Sequence, residues 1–129
     1  MSLLGAAYRL AAGLEAALEP LGLSLAKLGV LSRLVEAGEP LSLSALAERL
    51  ACVRSNVTSL VDRLEADKLV ARQADSKDRR SIRASVTVEG RARYESGQKA
   101  LDRAAREAFS HLGPGEREAL AKVVLSLKR

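Results

Sequence analysis

The spacing of apolar residues changes from the period of a helix to the period of a strand within one stretch, residues 54–88. Four apolar residues recur at i, i+3, i+4 and i+7 and so share one helix face: Val57, Leu60, Val61 and Leu64. In residues 82–88 every second position is apolar, which is the pattern of a half-buried strand. Residues 69–72 form a shorter apolar run, and the eight residues 74–81 between the two runs are polar and basic. The stretch predicts a helix followed by a β-hairpin with a basic tip.

A shorter helix is predicted just before this one. Ser44 is expected to cap a helix from Ala45 to about Leu50, and a break of about three residues follows. The outer face of the second helix carries hydroxyl, amide and guanidinium groups, which suit close approach to a DNA groove. We expect these residues to contact DNA: Arg54, Ser55, Asn56, Thr58, Ser59 and Arg63. Two helices and a hairpin in this order predict a winged helix-turn-helix.

Helices are predicted on both sides of this unit. Before it, one amphipathic helix ends near Pro20, and another runs from a Ser24 cap to Gly38. Leu41-Ser42-Leu43 alternates like a very short strand. After the hairpin, Thr87 is expected to cap a helix from Val88 to about Leu112, and a final helix follows Gly113-Pro114-Gly115.

The terminal helices alone would expose much leucine and valine, so we expect a second copy to cover them in a homodimer. The fold class is therefore mainly α (α+β), with residues 1–129 as a single domain. Residues 24–89 form the winged helix-turn-helix, and residues 1–23 and 90–129 form dimerisation helices.

Composition narrows the function. The chain has 23 leucines and 22 alanines, both strong helix formers, but only three aromatic residues. Three aromatics supply too few stacking platforms for a typical RNA or single-strand binder. Of the formal charge of +5, residues 53–93 contribute +4, which favours a polyanionic partner such as double-stranded DNA.

Several other kinds of protein and of functional site are not expected. One cysteine and one histidine cannot form a four-ligand zinc site, and a lone cysteine forms no internal disulfide. No apolar run is long enough to span a membrane. No nucleophile, phosphate loop or carboxylate pair is arranged for catalysis. We therefore expect a cytoplasmic protein that is not an enzyme and has no cofactor or metal.

Three segments resemble the MarR family of bacterial winged-helix regulators. LSLSALAERL with RSNVTSLVDRLEADKLV is similar to the family's third and fourth helices. DSKDRRSIRASVTVEGRA is similar to its wing signature, and LGPGEREALAKVVLSLKR to its terminal dimerisation helix. The resemblance implies a homodimer on a pseudo-palindromic site, a repressor in many members, released by a small molecule bound between the dimer region and the winged helix. Because aromatics are few, we expect any effector pocket here to be mainly aliphatic.

The resemblance also implies roles for wing residues. Asp78 would steady the loop, and Arg80 would enter the minor groove. The other wing cations predicted to contact DNA are Arg72, Lys77, Arg79 and Arg83. Two positions depart from the family pattern. Val53 replaces the usual serine cap of the recognition helix, and Lys68 replaces the usual glycine after it.

Two alternatives stay open at this point. Because of the changes at residues 51–53 and 68, the chain could be a winged-helix dimer with weak DNA binding that serves as a protein-interaction module. Cys52 could make it a thiol-based sensor, because a thiol near a helix N-terminus can be reactive. We favour the simpler interpretation that Cys52 packs as a small hydrophobe in the helix-turn-helix core.

Overall fold

The structure, a computed structural model, describes residues 2–74, 77 and 81–127. Within these ranges the chain is mostly helical, with a small antiparallel sheet. The elements in chain order are α1 (Leu3–Leu18), a single 3₁₀ turn (Glu19–Leu21), α2 (Leu25–Ala37), β1 (Leu41–Ser42), α3 (Leu43–Leu50), α4 (Arg54–Ala66), β2 (Val70–Ala74), β3 (Ile82–Val86), α5 (Val88–Phe109) and α6 (Pro114–Leu127). The predicted order of elements is confirmed.

Most helix boundaries follow from local capping. The Ser24 hydroxyl accepts the Lys27 N–H at the start of α2, and the Thr87 hydroxyl accepts the Gly90 N–H at the start of α5. Gly38 ends α2 with a φ of 68°, a conformation that costs glycine little. These three predictions are confirmed. The end of α5 was predicted too late, because the helix stops at Phe109 and not at Leu112.

The predicted start of α3 is wrong by two residues. Ser42, not Ser44, is the N-cap, and its hydroxyl accepts the Ala45 N–H at 3.1 Å. The reason is tertiary. Leu41 and Ser42 pair with β3, and Leu43 is buried directly behind them, so the helix must begin immediately after the strand. The very short strand therefore covers two residues and not three.

The sheet has the strand order β1-β3-β2, and both pairings are antiparallel. In the β2–β3 hairpin, Arg72 lies opposite Ala84, and Ala74 lies opposite Ile82. Ala84 is fully buried, whereas Ile82 is 42% exposed. The hairpin thus starts on the core and extends away from it, as a wing does.

The apolar core lies under the helix-turn-helix and the base of the wing. It contains three of the four residues in the predicted stripe of α4, Val57, Val61 and Leu64, while Leu60 packs at its edge. The remaining buried residues come mainly from α2, α3 and the strands: Leu28, Val30, Leu31, Leu34, Leu41, Leu43, Leu46, Ala47, Leu69, Val70 and Ala84, with Leu18 and Leu23 from the N-terminal segment. By contrast, α6 buries none of the residues from Pro114 to Leu127.

Candidate DNA-binding surface

The solvent face of α4 carries most of the side chains predicted to contact DNA. Because the apolar stripe holds one side of the helix against the core, the other side must face water. Five of the six predicted residues of this helix are exposed: Arg54, Ser55, Asn56, Ser59 and Arg63. Thr58 is half-buried, and its hydroxyl donates a hydrogen bond to the Arg54 carbonyl oxygen at 3.0 Å. The helix thus presents donors and acceptors in a form that a major groove can accept.

The turn before α4 leaves the first amides of the helix without a side-chain cap. Val53 occupies the N-cap position in an extended conformation, makes no side-chain cap hydrogen bond and is 63% exposed. Two residues earlier, Ala51 has a φ of 52°, which ends α3 in a left-handed turn. The departure predicted at this cap is confirmed.

The predicted packing of Cys52 in the helix-turn-helix core is wrong. Cys52 is exposed. After the left-handed turn at Ala51, the Cys52 N–H bonds back to the Ala47 carbonyl at the end of α3. That bond ties the backbone to α3 while the side chain is left on the solvent side. The thiol therefore lies at the surface, close in sequence to the start of α4.

The other end of α4 is held by two neighbouring helices. Lys68 has a φ of 63°, in agreement with the prediction that this position favours glycine. Its carbonyl oxygen accepts a 2.8 Å hydrogen bond from the Thr87 hydroxyl at the start of α5. The Asp67 carboxylate lies 3.4 Å from the Lys27 ammonium on α2. The end of the helix is thereby tied to α2 and to the start of α5.

Arg72, on β2, lies against α4. Its Nη2 atom is 2.5 Å from Asp62 Oδ1, and its Nη1 atom is 3.4 Å from Glu65 Oε1. Its backbone N–H also donates to Glu65 Oε2 at 3.2 Å. The sequence predicts a DNA contact for Arg72 and no pairing with these two acids. The sequence signal that could have predicted this pairing is two acids at i and i+3 just before a strand that carries an arginine.

The wing is described only in part. Lys77 is exposed, and Arg83 is half-buried on β3, opposite Gln73 of β2. Asp78, Arg79 and Arg80, predicted to steady the loop and to enter the minor groove, lie outside the described residues. Of the wing residues predicted to contact DNA, Arg72 and Arg83 thus lie on the two paired strands of the hairpin.

A second surface lies on the terminal helices. An open, mainly apolar groove of about 910 Å³ runs between α5 and α6, lined by Phe109, Leu112, Leu120, Val124 and Leu125 among others. Val124 is 44% exposed, and Leu125 and Leu127 are 66% and 78% exposed. This surface is the leucine- and valine-rich layer that, as the sequence predicts, a second copy of the chain would bury.

Other kinds of site find no support within the described ranges. No three His, Cys, Asp or Glu side chains there lie close enough together to hold a metal ion. None of the described helices combines the length and the apolar character needed to cross a lipid bilayer.

The sequence profile of the MarR family matches residues 21–81. The uncharacterized HTH-type transcriptional regulator YfiV of Bacillus subtilis (strain 168) is 33% identical over 113 residues, covering 84% of this chain and 68% of YfiV. The chain belongs to the MarR family. Another relative, the HTH-type transcriptional repressor MdtR of the same organism, is 41% identical over 87 residues, covering 65% of this chain and 56% of MdtR. This MarR-family chain thus spans about half the length of some relatives that it matches.

The fold comparison agrees with this assignment. Bordetella bronchiseptica BpsR, whose DNA binding is regulated by 6-hydroxynicotinic acid, has a TM-score of 0.80 and 26% identity, with 98% of this chain and 96% of BpsR covered. The similarity in fold to BpsR therefore includes the helices at both ends of the chain.

Proposed function

We propose that the protein is a cytoplasmic transcriptional regulator that binds double-stranded DNA as a homodimer, acting as a repressor on a pseudo-palindromic site. The observation that carries the proposal is the exposed face of α4, where Arg54, Ser55, Asn56, Ser59 and Arg63 stand on a helix anchored by its buried stripe. Small polar side chains allow the helix to approach base edges, and the arginines can bond bases or phosphates. The repressor function of MdtR supports the direction of regulation.

The terminal helices support the proposed homodimer. In α6 no described residue from Pro114 to Leu127 is buried, although the helix is rich in leucine and valine. A second copy packed into the groove between α5 and α6 would remove this apolar surface from water. A two-fold dimer would place its two recognition helices in successive major grooves, about 34 Å apart.

A small-molecule effector is a further part of the proposal. The regulation of BpsR by 6-hydroxynicotinic acid supports it. An effector would act by favouring a dimer in which the two recognition helices have the wrong separation for the operator. With two tyrosines and one phenylalanine in the whole chain, an effector site would be lined mainly by aliphatic side chains.

The test is DNA binding by a variant of the wing. We expect Arg79→Ala with Arg80→Ala to weaken binding to the DNA that flanks the protein's own gene, since both arginines would lose contacts in the minor groove. The slope of log affinity against log salt concentration should become shallower by about 1 to 2. Fluorescence anisotropy at several salt concentrations measures both quantities.

Arg33→Ala is the matched control, because it removes a cation from α2, where Arg33 pairs with Glu36 at 3.1 Å and lies outside α4 and the wing. Thermal melts by circular dichroism should be unchanged for both variants. Wild-type affinity in the double variant would refute the wing assignment. No saturable binding by the wild type, even at low salt, would favour the protein-interaction module instead.

Because the Cys52 thiol is exposed, the alternative of a thiol-based sensor can be tested directly. If Cys52 is a redox switch, peroxide should release the wild type from DNA but not Cys52→Ser. We expect peroxide to leave DNA binding unaltered in both proteins. A loss confined to the wild type would support the thiol-based sensor.

A further inference from the structure

Arg72 reaches across two turns of the recognition helix from the wing. Thr58, Asp62 and Glu65 follow one another at i, i+4 and i+7 and therefore lie on one side of α4, over a rise of about 10 Å. The Arg72 Nη2 atom lies 2.5 Å from Asp62 Oδ1 and 3.5 Å from the Thr58 carbonyl oxygen. Its Nη1 atom and its backbone N–H both reach the Glu65 carboxylate, at 3.4 Å and 3.2 Å. One residue of the wing thus contacts three positions of the helix.

The surroundings of Arg72 differ from those of the other predicted DNA-contacting arginines. Its side chain is only 22% exposed, whereas Arg54 and Arg63 are exposed. The Arg72 Nε atom is buried and has no hydrogen-bond partner among the described residues. Both terminal nitrogens already face oxygen atoms of α4. To bind a phosphate, the guanidinium would have to give up these partners, so DNA contact is not what this geometry favours.

The two acids also need a physical explanation. Asp62 and Glu65 place two negative charges on the helix that would meet DNA, which opposes binding to a polyanion. Their side chains are 57% and 42% exposed, so neither is required by the core. Their pairing with one arginine of β2 accounts for both. An arginine suits this place because its planar group can reach two carboxylates at once, whereas an ammonium is a single point charge.

We propose that Arg72 is a positioning residue whose pairs with Asp62 and Glu65 set the placement of the recognition helix relative to the wing. The inference rests on the proposed function, because correct placement is expressed as discrimination between operator and other DNA. The helix and the wing must reach adjacent grooves at the same time, so a small change in their relative placement costs operator contacts. Contacts to phosphates of random DNA depend much less on it.

The sign of the effect of Asp62→Asn is the first test. Removing a negative charge from a DNA-facing helix should tighten binding to all DNA if electrostatics alone acts. If the pair with Arg72 positions the helix, Asp62→Asn should instead weaken binding to the operator. We expect the ratio of operator affinity to random-DNA affinity to fall about five- to tenfold, since the pair is partly exposed and its coupling is modest.

Glu48→Gln is the matched control. It neutralises an exposed carboxylate of α3, in the same helix-turn-helix but away from Arg72. It should leave the affinity ratio unchanged or tighten both affinities slightly. If Asp62→Asn behaves as this control does, Asp62 has no positioning role and the proposal is overturned.

Arg72→Lys and Arg72→Ala provide the second test. Lysine keeps the positive charge but cannot span the same oxygens, so we expect it to lower the affinity ratio almost as far as alanine does, with the salt slope of wild type. Full rescue by lysine would mean that charge alone matters. A salt slope shallower by about 1 in Arg72→Ala would identify Arg72 as a phosphate contact. Either result overturns the proposal.

Hydrogen exchange on the DNA-free protein separates this inference from the proposed function. In Asp62→Asn and Arg72→Lys we expect the amides of residues 58–64 and 70–73 to exchange about fivefold faster, with those of α2 unchanged. Wild-type exchange rates in both variants would overturn the proposal whether or not DNA binds. If the wild type discriminates no operator, the proposed function fails, and exchange alone then decides whether Arg72 holds the helix to the wing.

Discussion

At the scale of single residues, Gly90 shows how closely the start of α5 approaches the end of α4. A Cβ atom added at this buried position would lie 1.9 Å from the Leu69 carbonyl oxygen and 3.0 Å from a methyl group of Val86. The same carbonyl accepts the Thr87 N–H at 3.1 Å. The backbone of α5 is therefore in direct contact with the segment that follows the recognition helix.

We expect Gly90→Ala to lower the free energy of unfolding by about 2 to 3 kcal/mol, because backbone must move to admit the methyl group. Urea denaturation followed by circular dichroism measures the change. Gly13→Ala is the control: nothing lies within 4 Å of the added Cβ on α1, so it should gain about 1 kcal/mol of helix propensity. Equal effects of the two substitutions would contradict the close approach at Gly90.

Residue type and residue role differ most clearly for the arginines. Arg54, Arg63 and Arg72 have the same chemistry and lie within nineteen residues of one another. The structure exposes two of them and ties the third to Asp62 and Glu65. The pattern of the sequence predicts a basic, polar surface but not this division, because the division depends on where β2 passes α4.

At the scale of the element, α4 is held well by its buried face and poorly at its beginning. Its stripe residues Val57, Val61 and Leu64 are fully buried. At its start Val53 has the extended backbone of an N-cap but no side-chain oxygen to bond the first amides. The helix therefore owes its stability to tertiary packing more than to its own ends.

We expect Val53→Ser to raise the free energy of unfolding by about 1 kcal/mol, because a serine hydroxyl at this position can accept an N–H of the first turn. The 63% exposure of Val53 means that little apolar burial is lost. The midpoint of urea denaturation reports the change. Val53→Ala, which shortens the side chain without adding a cap, should be nearly neutral. An equal gain in the free energy of unfolding in both variants would show that removal of the exposed valine side chain, and not capping, is the cause.

At the scale of the whole molecule, the winged helix has its own core, but the terminal helices do not complete one. The described buried residues lie between Leu18 and Ala84, apart from two glycines of α5. The groove between α5 and α6 is open, and its lining is mostly apolar. A layer of this kind is typical of an interface between copies of one chain.

We expect the wild type to sediment as a particle of two chains and Val124→Glu to weaken that association at least about tenfold, because a charged carboxylate would replace apolar surface in the buried interface. Sedimentation velocity over a range of micromolar concentrations measures this. Val88→Glu is the control, since Val88 is 91% exposed on the first turn of α5, outside the groove. A monomeric wild type, or a Val124→Glu dimer as strong as wild type, would contradict the proposed interface.

The order and type of the elements were predictable because their causes are local. The period of the apolar residues, the caps Ser24 and Thr87 and the stop at Gly38 act within a few residues of the chain. Two predictions failed for different reasons. The start of α3 moved because a distant contact, the pairing of Leu41 and Ser42 with β3, outweighed the local signal of Ser44. The position of Cys52 was wrong for a local reason, because the left-handed turn at Ala51 puts Cys52 at the surface.

The sequence by itself determined a winged helix-turn-helix with a polar, basic face and apolar helices at both ends, because spacing and charge are properties of the chain alone. Only the tertiary structure decided which polar and charged groups meet. Lys27 reaches Asp67 across 40 residues, Thr87 reaches the Lys68 carbonyl, and Arg72 reaches Asp62 and Glu65. These contacts depend on how the packed elements cross one another. Burial of the shared core sets that crossing, and no local pattern of the sequence encodes it.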